Sequence, residues 1–369
     1  MVTNHKYIMQ GAPGALTIIN EKECLYFGGT SYYGLHNHHR VIQAASEAIE
    51  KYGMNSATSR KGFGTTPLLI ELEKKAAEFF ETEDAAYLAS GYLSNMAGVQ
   101  ALLKAETFDA IFIDQMSHYS SHDAAYSVRK PVFTFKHMEM EDLEKALKQH
   151  LSPGQRPLLI SDGIFPVFGI IAPLPDYLRI LKPYNGLVWF DDAHGLGIMG
   201  EKGRGTAEFY GCSSDRLFFG GTMSKAFGGF GGIIPGNTDF ISEIRSGFVM
   251  NGATSAPSAA TAASLTGLTL VMEHPEKKIK LWENAHRLKN GLRKLGFETN
   301  DSYMPVAAWK LNSSAEMKRV QQELFNRGIA IQYIQYVGTG TEGVLRAVVF
   351  STHTSEQIDS LMFELGRLV

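Results

Sequence analysis

Between Ala85 and Lys225 short apolar runs alternate with helical stretches, and this rhythm constrains the fold more than any other feature of the chain. The runs are Ala85–Ala89, Ala110–Ile113, Leu158–Ser161, Leu187–Phe190 and Leu217–Gly220. After the first, a turn at Ser90-Gly91 leads into a helical pattern over Met96–Leu103. Strand, polar turn, helix and strand in repetition predict an α/β chain with a mostly parallel central sheet and helices on both faces. Ligands of such sheets bind outside the carboxyl ends of the strands. Four run-ends carry polar or ionisable residues there: Ser90, Asp114, Asp191 and the turn Thr222–Lys225.

The rhythm changes after residue 258. Two helical stretches, Ala259–Met272 and Glu276–Leu295, precede strand-like pieces at Val306–Lys310, Ile329–Ile334 and Val344–Phe350 and a last helix over Ser355–Leu368. They read as a smaller α+β domain. The expected organisation is residues 1–48 as an N-terminal segment packing with the small domain, 49–258 as a large ligand-binding domain, and 259–369 as the small domain. A chain of 369 residues with 44% hydrophobic content is long enough for two or three folding units. Basic and acidic residues number 35 and 38, a formal charge of -3, which argues against a general nucleic-acid binder. Cys24 and Cys212 form no C-x-x-C or zinc-type spacing, so neither a disulfide framework nor a structural metal is expected. The opening MVTNHKYIMQGAPGAL lacks the basic and apolar regions of a signal peptide, and no apolar run reaches the roughly 18 residues of a membrane span. A cytoplasmic protein is expected.

The chemistry gathers in two segments. In Phe190-Asp191-Asp192-Ala193-His194-Gly195 an apolar run delivers two carboxylates and a histidine within four positions. In Gly221-Thr222-Met223-Ser224-Lys225-Ala226-Phe227-Gly228 a lysine follows another apolar run and is flanked by Met, Ala and Phe rather than by charges. Partial burial disfavours the ammonium form, and a neutral lysine amine forms a Schiff base with an aldehyde. A pyridine aldehyde needs an anion beside its ring nitrogen, a place for Asp191. His194 suits its phenolic oxygen, His118 its ring face, and the strand-to-helix turn Ser90-Gly91-Tyr92, with the hydroxyls of Thr222 and Ser224, its phosphate. Two other motifs compete. Gly195-Leu196-Gly197-Ile198-Met199-Gly200 matches G-x-G-x-x-G, but the glycine-rich continuation to Gly205 is a poor helix start for a dinucleotide fold. His36-Asn37-His38-His39 suggests a metal, yet reads better as a loop entering a helix.

The segments SYYGL (31–35), YGMNSATSRKGFGT (52–65), LASGYLSN (88–95), DQMSHYSS (114–121), FDDAHGLGIMGEKGRG (190–205) and GGTMSKAFGGFGG (220–232) resemble those of the α-oxoamine synthases. These are pyridoxal 5'-phosphate (PLP) enzymes of the fold-type I architecture. The resemblance covers about residues 25–355 and implies a homodimeric acyltransferase that condenses a small amino acid with an acyl-CoA, losing CO2. It makes Lys225 the Schiff-base lysine. Asp191 pairs with the ring nitrogen, His194 with the phenolic oxygen, and His118 stacks on the ring. Ser90, Gly91, Tyr92 and Thr222 contact the cofactor. Thr254 and Ser255 match a segment that reaches the phosphate site of a second subunit. Arg346 matches an arginine that holds the amino-acid carboxylate, and Ser31 falls in a substrate-binding segment. Three stretches depart from the family pattern: Ser31-Tyr32-Tyr33 for Asn-Tyr-Leu, Pro166-Val167-Phe168 for Ser-Met-Asp, and His137-Met138-Glu139 for His-Asn-Asp. Pro166 and a short N-terminal segment, which usually shapes the acyl-CoA entrance, motivate an alternative: an aminotransferase, decarboxylase or lyase that uses PLP without CoA. A PLP-binding regulatory domain is a third class.

Overall fold

The computed structural model describes residues 6–369; the first five residues of the expected N-terminal segment lie outside the described residues. The chain divides into two units. The small one comprises the residues up to His39, Pro166–Ile170 and His274–Val369, and the large one Arg40–Phe165 and Ile171–Glu273. The small unit opens with β1 (Leu16–Ile19) and β2 (Lys22–Tyr26). The large unit holds β3 (Asp84–Leu88), β4 (Ala110–Asp114), β5 (Val132–Phe135) and β6 (Pro157–Asp162). The short β7 (Ile164–Phe165) and β8 (Ile170–Ile171) flank residues 166–169, and β9 (Leu187–Asp191), β10 (Leu217–Thr222) and β11 (Gly232–Gly236) complete the large unit's strands. The small unit adds β12 (Val306–Trp309), β13 (Ile329–Ala330), β14 (Gln332–Ile334) and β15 (Val344–Val348).

The large unit is built on a seven-stranded sheet in the order β3-β11-β10-β9-β6-β4-β5. Its ladders are parallel except those of β11, which runs antiparallel to both β10 and β3. The sequence reading contains all of these strands but β5 and β11. The second is rich in glycine and carries Pro235, which argues against a strand with neighbours on both sides. The conflict resolves because β10 pairs only with Gly232 and Ile233, so the ladder has parted from β10 before Pro235. Leu187–Phe190 are all buried, as a central strand covered on two faces requires. Each fully buried Leu or Phe of this kind contributes roughly 1.5–3 kcal/mol. The helix Gly91–Ala105 lies so close to Trp189 that a Cβ on Gly98 would fall 2.0 Å from the indole ring.

The helix Ser258–Glu273, expected in the small domain, belongs to the large unit, and the division falls at 273/274 rather than at 258/259. Small residues explain its place. A Cβ on Gly267 would meet the Phe227 carbonyl at 1.7 Å, and Ser264 Oγ donates to Phe230 O (2.7 Å) while accepting from Phe230 N (3.2 Å). The helix thus clamps the loop that follows Lys225. The other division falls at 39/40 rather than at 48/49, because the helix His39–Tyr52 lies almost wholly in the large unit.

The small unit contains two three-stranded sheets, β1-β2-β13 and β12-β15-β14. The β1–β2 hairpin turns through Asn20 and Glu21, both at positive φ, as a two-residue hairpin turn prefers. Its core joins Leu288 and Leu292 of the helix Glu276–Lys294 to Trp309, Leu324, Leu345 and Leu361. Among the described residues, no helix is long and apolar enough to cross a membrane.

Candidate active site

Two loops of the large unit meet at the carboxyl end of its sheet. Past β3, Ser90 caps the helix Gly91–Ala105: its backbone is extended and its Oγ accepts from Tyr92 N at 3.2 Å. Amides of a first helical turn lack intrahelical partners, and with the helix dipole they suit an anion. A Cβ on Gly91 would lie 2.6 Å from Thr222 Cβ, so glycine is required for the contact between this turn and the end of β10. Thr222 Oγ1 donates to Gly231 O (2.9 Å), accepts from Ser224 N (3.1 Å) and lies 2.8 Å from Ser224 Oγ. These bonds fold the turn that carries Lys225, which is half-buried.

Asp191 ends β9, in register with Asp162 on the adjacent parallel β6. Its two oxygens accept from Ala193 N (3.1 Å) and Asn95 Nδ2 (2.6 Å). Asn95 also donates to Ser120 Oγ (2.8 Å), and its Oδ1 accepts from Trp189 Nε1 (2.9 Å). Ser120 Oγ lies 2.6 Å from His118 Nδ1. Burial pushes the His118 imidazole below its ordinary value, against the pull of Asp191 and with the help of the Lys225 charge. Asp162 is buried and accepts from His118 N at 3.0 Å. Burial first, and then the neighbouring Asp191, raise its carboxyl well above the usual range.

Asp192, one residue on, has a different task. It accepts from Thr206 N (2.6 Å) and Thr206 Oγ1 (2.8 Å). Burial pushes it up to about 7 against the lowering effect of those bonds. A Cβ on either Gly195 or Gly205 would lie 2.1 Å from its oxygens. The first glycine of the G-x-G-x-x-G match, with Gly205 beyond it, therefore wraps a protein carboxylate, and no helix follows the match before Thr206. Asp114 is likewise structural, accepting from Met116 N (2.8 Å), Met138 N (3.0 Å) and His137 Nδ1 (3.0 Å).

His194 is half-buried in the turn after Asp191. Tyr92 sits edge-on to His118, ring centroids 6.1 Å apart, and its hydroxyl bonds to Asp123. Thr254 is exposed, whereas Ser255 is buried with no hydrogen-bond partner for its hydroxyl. Both line a small cavity beside Arg60, Leu88 and Leu93. Arg346 and Ser31 belong to the small unit. Arg346 is 7% exposed, donates to Pro166 O (3.2 Å) and Gln332 Oε1 (2.8 Å), and burial lowers it from its ordinary value. Pro166 thus meets Arg346 through its backbone carbonyl. Ser31 Oγ lies 2.7 Å from His36 Nδ1, so His36 of the suspected metal cluster has a protein partner.

The structure therefore brings Ser90, Gly91, Tyr92, His118, Asp191, Thr222 and Lys225 to one end of one sheet. Hydroxyls and helix-start amides suit a phosphate, a carboxylate with two anchoring donors suits a protonated ring nitrogen, and a half-buried amine suits an aldehyde. The set fits PLP. The sequence reading passed over Asn95, Ser120, Asp162 and Trp189. A signal existed for the first: an Asn set between Leu93 and Met96 in a helix rich in apolar residues needs a partner for its amide.

The profile of the family described as aminotransferase class I and II matches residues 22–365. An 8-amino-7-oxononanoate synthase from Alkaliphilus oremlandii is 35% identical over 357 residues, spanning 95% of this chain and 89% of the relative. The 8-amino-7-oxononanoate synthase 1 of Bacillus subtilis is 31% identical, spanning 96% and 90%. Among solved structures, the serine palmitoyltransferase of Sphingomonas wittichii superposes with a TM-score of 0.91 at 27% identity, over 98% of this chain and 91% of that one. A serine palmitoyltransferase from S. paucimobilis with bound PLP and myriocin gives 0.91 at 26% identity, over 98% and 92%. With a matched profile over most of its length and full-length relatives above 30% identity, the chain belongs to the aminotransferase class I and II family and, within it, to the α-oxoamine synthases.

Proposed function

We propose that this chain is a PLP-dependent acyltransferase of the 8-amino-7-oxononanoate synthase type. It joins the Cα of a small amino acid to the acyl carbon of an acyl-CoA, releasing CO2 and free CoA and leaving an α-oxoamine. The observation that carries this reading is the set of Lys225, Asp191, His118 and the Ser90 turn at one sheet end, in a chain whose full-length relatives bear that name. When bound, PLP supplies the electron sink that makes the Cα proton removable.

The chain's own residues supply the rest. Lys225 Nζ would hold the cofactor and would take the Cα proton of the bound amino acid. Asp191, anchored by Asn95 and Ala193 N, would keep a proton on the ring nitrogen. Ser90, Gly91, Tyr92 and Thr222 would hold the phosphate, His194 the phenolic oxygen, and His118 would cover the ring and donate a hydrogen bond to the acyl carbonyl. The same reading assigns Arg346 and Ser31 to the amino acid, Arg346 as the carboxylate's cation. Thr254 and the unpartnered hydroxyl of Ser255 serve the phosphate site of a second copy in a homodimer. Phe63 and Phe248, at 99% and 85% exposure, supply apolar surface for such a contact. The protein works in the cytoplasm, where its two free cysteines stay reduced.

A matrix of acyl-CoAs against amino acids, read by thiol release, tests the reading. Release that needs both substrates and is lost in Lys225→Ala is expected. Keto-acid or amine formation without thiol release would overturn it. Sedimentation as a monomer at micromolar concentration would remove the dimer.

A further inference from the structure

The hydrogen bonds around His118 run in one direction, and that direction is set by groups with no choice. The Trp189 indole N–H only donates. It lies 2.9 Å from Asn95 Oδ1, which fixes the amide with oxygen toward Trp189 and nitrogen toward Asp191 and Ser120. The Asp191 carboxylate only accepts, and agrees with that orientation. Asn95 Nδ2 therefore donates to Ser120 Oγ, and the hydroxyl proton can then point to His118 Nδ1, 2.6 Å away. A second, independent group says the same. The Ser120 backbone N–H, which only donates, points at the same Nδ1 from 3.2 Å, because His118 is the N-cap of the helix Tyr119–Ser127.

We infer that His118 is locked as the tautomer with its proton on Nε2, and that Ser120 and Asn95 are positioning residues that set this tautomer and tie the ring to Asp191. A nitrogen that accepts two donors carries no proton of its own, so the neutral ring keeps its single proton on the other nitrogen. Burial keeps the ring from taking a second proton. The lock gives the histidine a donor of known position rather than an acceptor, as hydrogen-bonding to a developing oxyanion requires. Asn95 makes the carboxylate and the imidazole parts of one network, since the same NH2 group bonds to Asp191 Oδ2 and to the serine that holds Nδ1. The use of that donor in catalysis rests on the function proposed above; the tautomer itself does not.

The test is a 15N spectrum of the full-length, 15N-histidine-labelled protein as purified, with His118→Gln identifying the resonances. An unprotonated Nδ1 and a protonated Nε2 are expected at pH 8. Ser120→Ala leaves the backbone amide but removes the hydroxyl, and shifts the tautomer ratio by about tenfold toward Nδ1–H, the worth of one good hydrogen bond. Ser120→Thr restores the ratio, which a merely structural loss would not. Asn95→Ala moves the ratio in the same direction as Ser120→Ala. An Nδ1-protonated His118 in the parent protein would overturn the inference, as would a ratio unmoved in Ser120→Ala and in a folded Asn95→Ala. Absence of thiol release with the expected tautomer would sink the proposed function and leave the lock standing.

Discussion

His118 in the large unit is half-buried and His353 in the small one fully buried, and both accept a backbone amide at Nδ1 in the same way, from Ser120 and from Phe350. Beyond that nitrogen they part. His353 Nε2 donates to Tyr26 O at 3.1 Å, and the ring stacks on Phe27 with centroids 4.5 Å apart. Other buried polar groups of the small unit behave similarly: Asn284 donates to the carbonyls of Phe350 and His353, and Lys289 to Ser302 O and Asn300 Oδ1. These bonds end mainly on backbone and satisfy what the fold buries. His118 is bound instead into a chain of side chains, Trp189 to Asn95 to Ser120, with a branch to Asp191. Bonds between side chains are the minority class in folded proteins. In the large unit several run in series to a carboxylate at a sheet end, a pattern the small unit's bonds do not share.

The widest test of this contrast is Lys225→Ala. It should lower turnover by at least about a thousandfold while the urea midpoint stays close to the parent's. A folded variant with near-parental thiol release would break the comparison. His353→Ala should do the opposite, costing about 2–4 kcal/mol in urea unfolding with turnover per folded molecule unchanged. Turnover lost without destabilisation would place His353 with the chemistry. Acid separates the two units further. Burial holds His353 at about 4 in the folded state, against about 6.5 when unfolded. Its contribution is complete above about pH 6.5 and is lost as pH falls toward 4, and the loss reaches about 2–3 kcal/mol by pH 4.5. Urea midpoints at pH 7.5 and 4.5 in the parent and in His353→Phe measure it. The smallest effect is expected of Gly98→Ala, whose Cβ meets the Trp189 ring. Overpacking costs about 1–3 kcal/mol, and the displaced indole should change the His118 15N signals. Unchanged signals would separate Trp189 from the network.

The strands of the large unit and the residues at their ends were legible because a buried parallel strand is a short apolar run and its polar end stands out. Lys225 and Asp191 could be read for that reason. Asp191 and Asp192 are adjacent and identical in type, and composition does not distinguish them. Only the wrap of Gly195 and Gly205 around the second commits it to the fold. Asn95 and Ser120 were hidden because serine and asparagine near helix starts are ordinary capping residues, and their partners lie on other elements. The division between the units falls later than the change of rhythm at residue 258 for a related reason. The Ser, Ala and Gly of the helix Ser258–Glu273 mark a tight packing face without saying which partner it meets.

One glycine sets a limit on what this site can become. Because Gly91 and Thr222 touch with no space for a methyl group, the helix start and the lysine turn form a fixed gauge. A ligand gripped by both meets a span that the loop beyond Lys225 cannot lengthen, since Ser264 clamps that loop from behind. Changes that retune this enzyme toward new substrates must then come from residues outside the gauge. The grip on the cofactor and the choice of substrate are in that sense separable inheritances of the fold.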